Sequence, residues 1–383
     1  MFRFLVLTSA VIATLLGWIP LKGWRVIPIA GAFALLGKLV EYTPLKKFVR
    51  PIIPGRRSSI TIPGNLDGVH TVQVSDLGTL LETRQITALE DELALDDKDT
   101  TVIVYAHGWR HNHSSSNHRR LTELIGFIAG QTKQTNHRII GVYLAWTGAT
   151  FGSFAHYSTF WDRQETLRLV AAGGARELLE ILRAWRYSEA TTSSEARKGG
   201  TRRLIIVGHS FGGAIVFHSV LQSLFGIVAN GAAIQPPADC VVLLNPALPA
   251  TAYLPLFQSI KRRPPASSAG RPFRLMAITG SNDMDVGRSF EIANFEERFT
   301  KAAISNDERS CRGKALGFAD LLRSGDLRVV DDEVHVEMVP DTGMGDLFWV
   351  LRADERTINK HSGITEPPFI RWIMKEISLL GHR

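Results

Sequence analysis

The sequence predicts an α/β fold with a mostly parallel sheet, and three observations support this prediction. Short apolar runs that suit buried strands alternate with longer segments that suit helices, such as residues 159–186, which is typical of βαβ units. One apolar run, residues 204–207, leads directly into a Gly-x-Ser-x-Gly turn. With 45% hydrophobic and 21% charged residues in a chain of 383, the composition is that of a globular protein.

The turn after this run predicts a nucleophilic serine. Gly208 and Gly212 flank Ser210 two residues to either side, where a sharp strand-to-helix turn has room only for small residues. Residues 214–225 predict a helix, so Ser210 would lie at a helix N-terminus, where partial positive charge favours a developing oxyanion. The alternative is an inert serine in a packed turn.

A catalytic acid is expected on the loop after a later strand, since open α/β sheets place their chemistry at the carboxyl ends of strands. Residues 273–279 predict such a strand, and it ends at Gly280. Asp283 follows on the loop and is the predicted acid of a catalytic triad. Asp285 is the alternative, because both aspartates lie on one loop and spacing alone separates them poorly.

A histidine is the expected base, since a serine hydroxyl becomes a good nucleophile only when a base takes its proton. Residues 347–351 predict the last long strand and residues 368–380 the last helix. His361 lies between them and is the predicted base. His335 is the runner-up, although its alternation with two valines indicates a strand or hairpin.

An oxyanion hole needs two backbone N–H donors, one from the residue after the nucleophile and one from an earlier loop. Phe211 is the first predicted donor. Residues 101–106 predict a strand that leads into His107, Gly108 and Trp109, and Gly108 allows the backbone to approach closely. We therefore predict the Trp109 amide as the second donor, and a structural hydrogen-bonding role for His107.

Five segments carry a family resemblance: residues 106–109 (AHGW), 143–148 (YLAWTG), the Ser210 turn, 281–283 (SND) and 361–364 (HSGI). With these motifs, residues 102–380 resemble the serine α/β-hydrolases, above all the bacterial esterase/lipase-like group. The resemblance implies an eight-stranded, mostly parallel sheet with helices on both faces, and ester hydrolysis without a cofactor. The acid and the base lie further apart in sequence than is usual in that family, which implies an insertion around residues 286–345.

The N-terminal residues 1–57 predict a membrane-associated helical hairpin. Two apolar stretches, residues 4–19 and 26–36, are joined by a short polar turn. Each is at or below the short end of the roughly 17–25 residues that span a bilayer. We expect the hairpin to precede a catalytic domain over residues 58–383; a signal peptide and a pair of soluble core helices are the alternatives.

Basic residues cluster after the second apolar stretch: Lys38, Lys46, Lys47, Arg50, Arg56 and Arg57. By the positive-inside rule, this cluster places the catalytic domain on the cytoplasmic side of the membrane. The formal net charge is +7, but attraction to anionic lipid head groups explains the cluster better than nucleic-acid binding does. The expected partners are therefore membrane lipid and a hydrophobic acyl ester, and no nucleic acid.

Neither a metal site nor a disulfide framework is expected. Two cysteines, Cys240 and Cys311, are too few for a framework. A cluster of histidines after the 101–106 strand matches no zinc spacing and has no interleaved cysteine or carboxylate: His107, His111, His113 and His118.

Together, these features predict a membrane-associated serine hydrolase that cleaves carboxylic esters through an acyl-enzyme. An acyltransferase that uses the same triad is the alternative within enzymes. A non-enzymatic alternative is a membrane-tethered scaffold protein that keeps the hydrolase fold but does not catalyse a reaction, since one fold hosts many functions.

Overall fold

A computed structural model gives the fold, and it describes residues 65–66, 69–95, 98–108, 121–122, 125, 137–148, 160–188, 201–231, 234–264, 273–294, 305–340 and 347–379. The chain divides into two compact units, Met1–Arg57 with Thr150–Asp162, and Ser58–Ala149 with Arg163–Arg383. The predicted hairpin at residues 1–57 lies outside the described residues. The proposed catalytic domain over 58–383 and the insertion around 286–345 stay predictions.

One sheet contains the described strands: β1 (Asn65–Leu66), β2 (Val69–Gln73), β3 (Asp99–Ala106), β4 (His137–Ala145), β5 (Arg202–His209), β6 (Cys240–Leu244), β7 (Arg274–Gly280), β8 (Gly325–Val330), β9 (Glu333–Met338) and β10 (Phe348–Ala353). Their order across the sheet is β1-β2-β4-β3-β5-β6-β7-β10-β8-β9. All neighbours from β2 to β8 pair in parallel, and only the outermost strands, β1 and β9, are antiparallel. The predicted α/β class with a mostly parallel sheet is confirmed.

The described sheet has ten strands, where the family resemblance implied eight. The β8–β9 hairpin lies beyond β10, where β8 pairs in parallel with three residues of β10, Leu351 to Ala353. The strands of this hairpin are half exposed, so they lack the continuous apolar run that marks a buried parallel strand. His335 lies in β9 opposite Arg328, in the strand that its alternation with valines indicates.

The described helices are α1 (Thr83–Leu93), α2 (Phe160–Ala172), α3 (Gly174–Tyr187), α4 (Phe211–Asn230), α5 (Ala250–Arg262), α6 (Phe290–Ala293), α7 (Asn306–Cys311) and α8 (Pro367–Leu379). Helices cover both faces of the sheet. Successive residues of a strand point to opposite sides, so neighbouring positions of β5 show which helix lies on each face. A Cβ built at Gly208 of β5 would lie 2.6 Å from the carbonyl oxygen of Gly212, so this position faces α4. Ile205 and Val207 point the other way and share a hydrophobic cluster with Phe369 of α8.

The segment predicted as one long helix over residues 159–186 is two helices, which is a correction. Gly173 lies between α2 and α3 with φ −104° and ψ −116°, outside the helical region. The backbone of Gly78, which has φ +81°, packs directly against this junction. A Cβ on Gly173 would lie 2.1 Å from the carbonyl oxygen of Gly78, so close approach of two backbones interrupts the helix.

Among the described helices, α4 alone is long and apolar enough to cross a membrane, and 67% of that apolar stretch is buried inside the protein. It contacts β3, β5 and β6 of the sheet. This is the environment of a core helix, and it bears on neither the predicted hairpin nor the location of the protein.

We expect Gly173→Ala to destabilise the protein. The added methyl group would meet a backbone carbonyl that no side-chain rotation can move, and overpacking of this kind costs about 1–3 kcal/mol. Gly226→Ala is the matched control, because a Cβ there meets no atom closer than 3.5 Å and alanine favours the interior of α4. Thermal unfolding should show a lower Tm only for Gly173→Ala; equal Tm values would contradict the close contact.

We also expect His218 to make the stability depend on pH. Burial, helped by the nearby positive charge of Arg168, lowers the pKa of His218 to about 4. Because the pKa in an unfolded chain is about 6.5, the unfolded state binds more protons between these values, and stability falls as the pH falls through this window. Urea denaturation should show wild type losing up to about 3 kcal/mol relative to His218→Gln between pH 7 and pH 4. A parallel decline of both proteins would contradict the shift.

Candidate active site

The turn between β5 and α4 holds Ser210 in an unusual backbone conformation. Its φ is +57° and its ψ is −122°, a region that residues with a side chain rarely adopt. The Ser210 N–H donates to the carbonyl of Leu244 at 2.9 Å, and its own carbonyl accepts from the amides of Gly213 and Ala247, each at 3.0 Å. The end of β6 and the segment after it therefore hold the strained turn in place.

The glycines around Ser210 are required by close backbone contacts. A Cβ on Gly212 would lie 2.1 Å from the carbonyl oxygen of Ala106, at the end of β3. A Cβ on Gly108, in the loop that follows β3, would lie 2.7 Å from the Cβ of Ser210. The absence of these side chains lets α4 begin against the sheet and leaves the Gly108 backbone beside the serine.

Ser210, His361 and Asp283 form one chain of hydrogen bonds. The Nε2 atom of His361 lies 2.9 Å from Ser210 Oγ, and its Nδ1 atom lies 2.7 Å from Asp283 Oδ2. An ionised carboxylate can only accept, so Nδ1 carries the proton and Nε2 is left to accept from the serine hydroxyl. The structure therefore brings the three predicted triad residues together, and these distances suit the tautomer that a general base requires.

Asp283 is buried, and its carboxylate accepts hydrogen bonds from backbone amides of its own loop. It is 2% exposed, and its Oδ1 atom accepts from the amides of Asp285 and Val286, each at 3.0 Å. These two bonds orient the carboxylate so that Oδ2 faces His361. The alternative acid, Asp285, is exposed and contributes its backbone amide to this arrangement. The alternative base, His335, lies in β9, paired with Arg328, and not in this hydrogen-bonded chain.

Only part of the predicted oxyanion hole falls within the described residues. Phe211 is the first residue of α4, where helix amides point toward the N-terminal end. Trp109 lies outside the described residues, so its role as the second donor stays a prediction. The neighbouring His107 and Gly108 are described, and Gly108 lies against Ser210.

His107 is fully buried and is hydrogen-bonded to Trp146, the residue after β4. Its Nε2 atom lies 3.1 Å from the Trp146 carbonyl oxygen, and the indole N–H of Trp146 donates to the His107 carbonyl at 2.9 Å. Its ring stacks with the ring of Tyr143 and with that of Trp146. These contacts fix the start of the loop that carries Gly108. The other histidines of the cluster lie outside the described residues. Among the residues that the structure describes, no group of three His, Cys, Asp or Glu could hold a metal.

The two thiols offer no competing nucleophile. Cys240 and Cys311 are both buried and form no disulfide. Burial raises the pKa of both thiols, so the reactive thiolate form is disfavoured at neutral pH.

Sequence analysis missed two residues that contact the backbone of His361. Asn245 Nδ2 donates to the His361 carbonyl at 2.9 Å, and His209 Nε2 donates to the same oxygen at 3.0 Å. The available signal was an asparagine directly after β6 and before Pro246, since asparagine tolerates the backbone conformations found where a strand ends in a turn.

Comparisons with known proteins identify the family of the chain through one family profile. No curated protein matches the chain. One solved structure that matches is that of the phospholipase PlaB from Legionella pneumophila in complex with thio-NAD, at 16% sequence identity and a TM-score of 0.34. The match covers 72% of this chain and 58% of that one, less than two thirds of its length. The profile of the Alpha/beta hydrolase family matches residues 103–355, more than half of the chain, which therefore belongs to the alpha/beta hydrolase family.

Proposed function

We propose that the protein is a serine hydrolase that cleaves carboxylic esters of hydrophobic acyl groups. The observation that carries the proposal is the hydrogen-bonded chain from Ser210 Oγ through the His361 imidazole to Asp283, at a strained turn on a helix N-terminus. A serine so placed has a base within reach of its proton, and the base has a group that orients it.

In the proposed first half-reaction, His361 Nε2 takes the proton of Ser210 while Oγ bonds to the carbonyl carbon of the ester. The negative charge moves to the former carbonyl oxygen, where the amide of Phe211 and the predicted donor Trp109 would stabilise it. The intermediate collapses as the carbon–oxygen bond to the alcohol breaks. His361 gives its proton to the departing oxygen, which leaves an acyl-serine.

In the second half-reaction, water replaces the alcohol. His361 takes a proton from the water as its oxygen attacks the acyl carbon, and the bond to Ser210 Oγ breaks with return of that proton to the serine. Asp283 stays ionised throughout. It holds the imidazole in one tautomer and stabilises the cation that forms in each half-reaction.

The N-terminal sequence supports a membrane-associated enzyme whose catalytic domain lies on the cytoplasmic side. Two apolar stretches followed by a basic cluster suit attachment to a bilayer with anionic lipid. An enzyme held at that surface meets esters that partition into lipid at high local concentration, so a lipid or similarly hydrophobic ester is the proposed substrate.

A fluorophosphonate probe on membranes that contain the intact chain tests this function. We expect covalent labelling of wild type and none of Ser210→Ala, because the probe reacts only with a serine whose proton a base removes. Folding of both proteins is checked by circular dichroism. Equal labelling of the two, or no labelling of a folded wild type, would contradict the proposal.

Replacement of each loop aspartate separates the two candidate acids. Asp283→Asn keeps the shape of the side chain but reverses the polarity of its bond to His361, so kcat for ester hydrolysis should fall by about 10⁴-fold. Asp285→Asn changes an exposed side chain and keeps the backbone amide that supports the loop, so kcat should change by no more than about twofold. A large loss in Asp285→Asn alone would assign the acid to that residue instead.

A further inference from the structure

The carbonyl oxygen of His361 accepts two side-chain hydrogen bonds, from residues at the ends of two neighbouring strands. It accepts one hydrogen bond from Asn245 Nδ2 at 2.9 Å and another from His209 Nε2 at 3.0 Å. Asn245 directly follows β6, and His209 ends β5, one residue before Ser210. The two donors use both lone pairs of the oxygen, which fixes the direction of the peptide that carries the imidazole.

Asn245 is itself held rigidly. It is fully buried, with φ +43°, and its N–H donates to the carbonyl of Ile278 at 2.8 Å. Its Oδ1 atom accepts from the amide of Gly280 at 2.9 Å. Since an amide N–H can only donate and a carbonyl can only accept, these partners determine which end of the side chain faces His361. One side chain thus joins the end of β7 to the His361 loop.

The residue before His361, Lys360, also contacts Asn245 and the loop that carries Asp283. The N–H of Lys360, at φ +60°, donates to Asn282 Oδ1 at 2.9 Å. Asn245 Nδ2 also lies 3.3 Å from the Lys360 carbonyl. Residues 282 and 283 therefore contact residues 360 and 361 in order, and Asn245 contacts both Lys360 and His361.

We propose that Asn245 is a positioning residue, which together with His209 sets the orientation of the His361 imidazole between Ser210 and Asp283. The inference rests on the proposed function, because it assigns Asn245 to the base of that triad. Asn245 does not contact the reacting atoms and acts only through the backbone of His361.

The proposal predicts a specific kinetic effect. If the donor is lost, the His361 peptide can rotate, and the imidazole no longer meets Ser210 Oγ and Asp283 Oδ2 at once. Misplacement by about 1 Å lowers the chemical rate by about 100-fold, while substrate binding is left unchanged. The turnover number kcat should therefore fall and KM should stay the same.

Two variants of the full-length protein test this. Asn245→Asp keeps the size of the side chain and the acceptor for Gly280, but turns the donor toward His361 into an oxygen. Asn245→Gly removes all three side-chain hydrogen bonds, to His361, Lys360 and Gly280, and keeps a backbone that tolerates positive φ. Asn294→Asp is the matched control, since Asn294 is also buried, at 7% exposure, and donates to a backbone carbonyl, that of Phe290, at 2.9 Å.

Three readouts are compared among these proteins: kcat and KM with a soluble ester, Tm, and the strongly deshielded proton NMR signal expected from a short His–Asp hydrogen bond. We expect kcat to fall about 100-fold in both Asn245 variants at unchanged KM, with the deshielded signal weakened or lost. Asn294→Asp should keep kcat and the signal at a comparable Tm.

The positioning role would be overturned if the Asn245 variants kept the kcat of Asn294→Asp and also kept the deshielded signal. The NMR arm separates this failure from failure of the proposed function. If wild type hydrolyses no ester but shows the signal, and the Asn245 variants lose it, the positioning role stands and the hydrolase proposal falls.

Discussion

Close approach of backbones at the carboxyl end of the sheet is the constraint on which the site depends. The first turn of α4 lies so near β3 and β5 that side chains at Gly208 and Gly212 would collide with backbone atoms. The chain passes from strand to helix in this space through a residue with positive φ, Ser210, at +57°. The same geometry brings Gly108 against the serine, and it places the hydroxyl at a helix N-terminus.

The segment after β6 connects the two halves of the site. Its Ala247 amide donates to the carbonyl of Ser210, and its Asn245 side chain donates to the carbonyl of His361. Nucleophile and base are thus fixed through their backbones by residues two apart on one loop. Asp283, in turn, is oriented by amides of its own loop. Rigid backbone contacts of this kind keep the side-chain hydrogen bonds short without a contribution from the substrate.

The parts of the fold that are predictable from the sequence are those with a local signal. Buried parallel strands leave apolar runs, and the serine turn leaves a spacing of glycines, so β3, β5, Ser210 and the loops of Asp283 and His361 could be found. Of the β8–β9 hairpin only the strand around His335 left a pattern, because half-exposed strands leave a weaker one. The break at Gly173 depends on contact with Gly78, and the role of Asn245 on contact with a residue 116 positions away. Such contacts have no local signature. The residues of the predicted hairpin and Trp109 lie outside the part of the chain that the structure describes.

The most direct measurement of the central claim is to trap the acyl-enzyme. The intact protein is mixed with an activated ester of a medium-length fatty acid, quenched in acid within the first turnover, digested and analysed by mass spectrometry. The account predicts that the mass of the acyl group appears on the peptide that contains Ser210, and that it disappears as the ester is exhausted. Turnover of the ester with the acyl group on another residue, or with none on any peptide at all quench times, would contradict it.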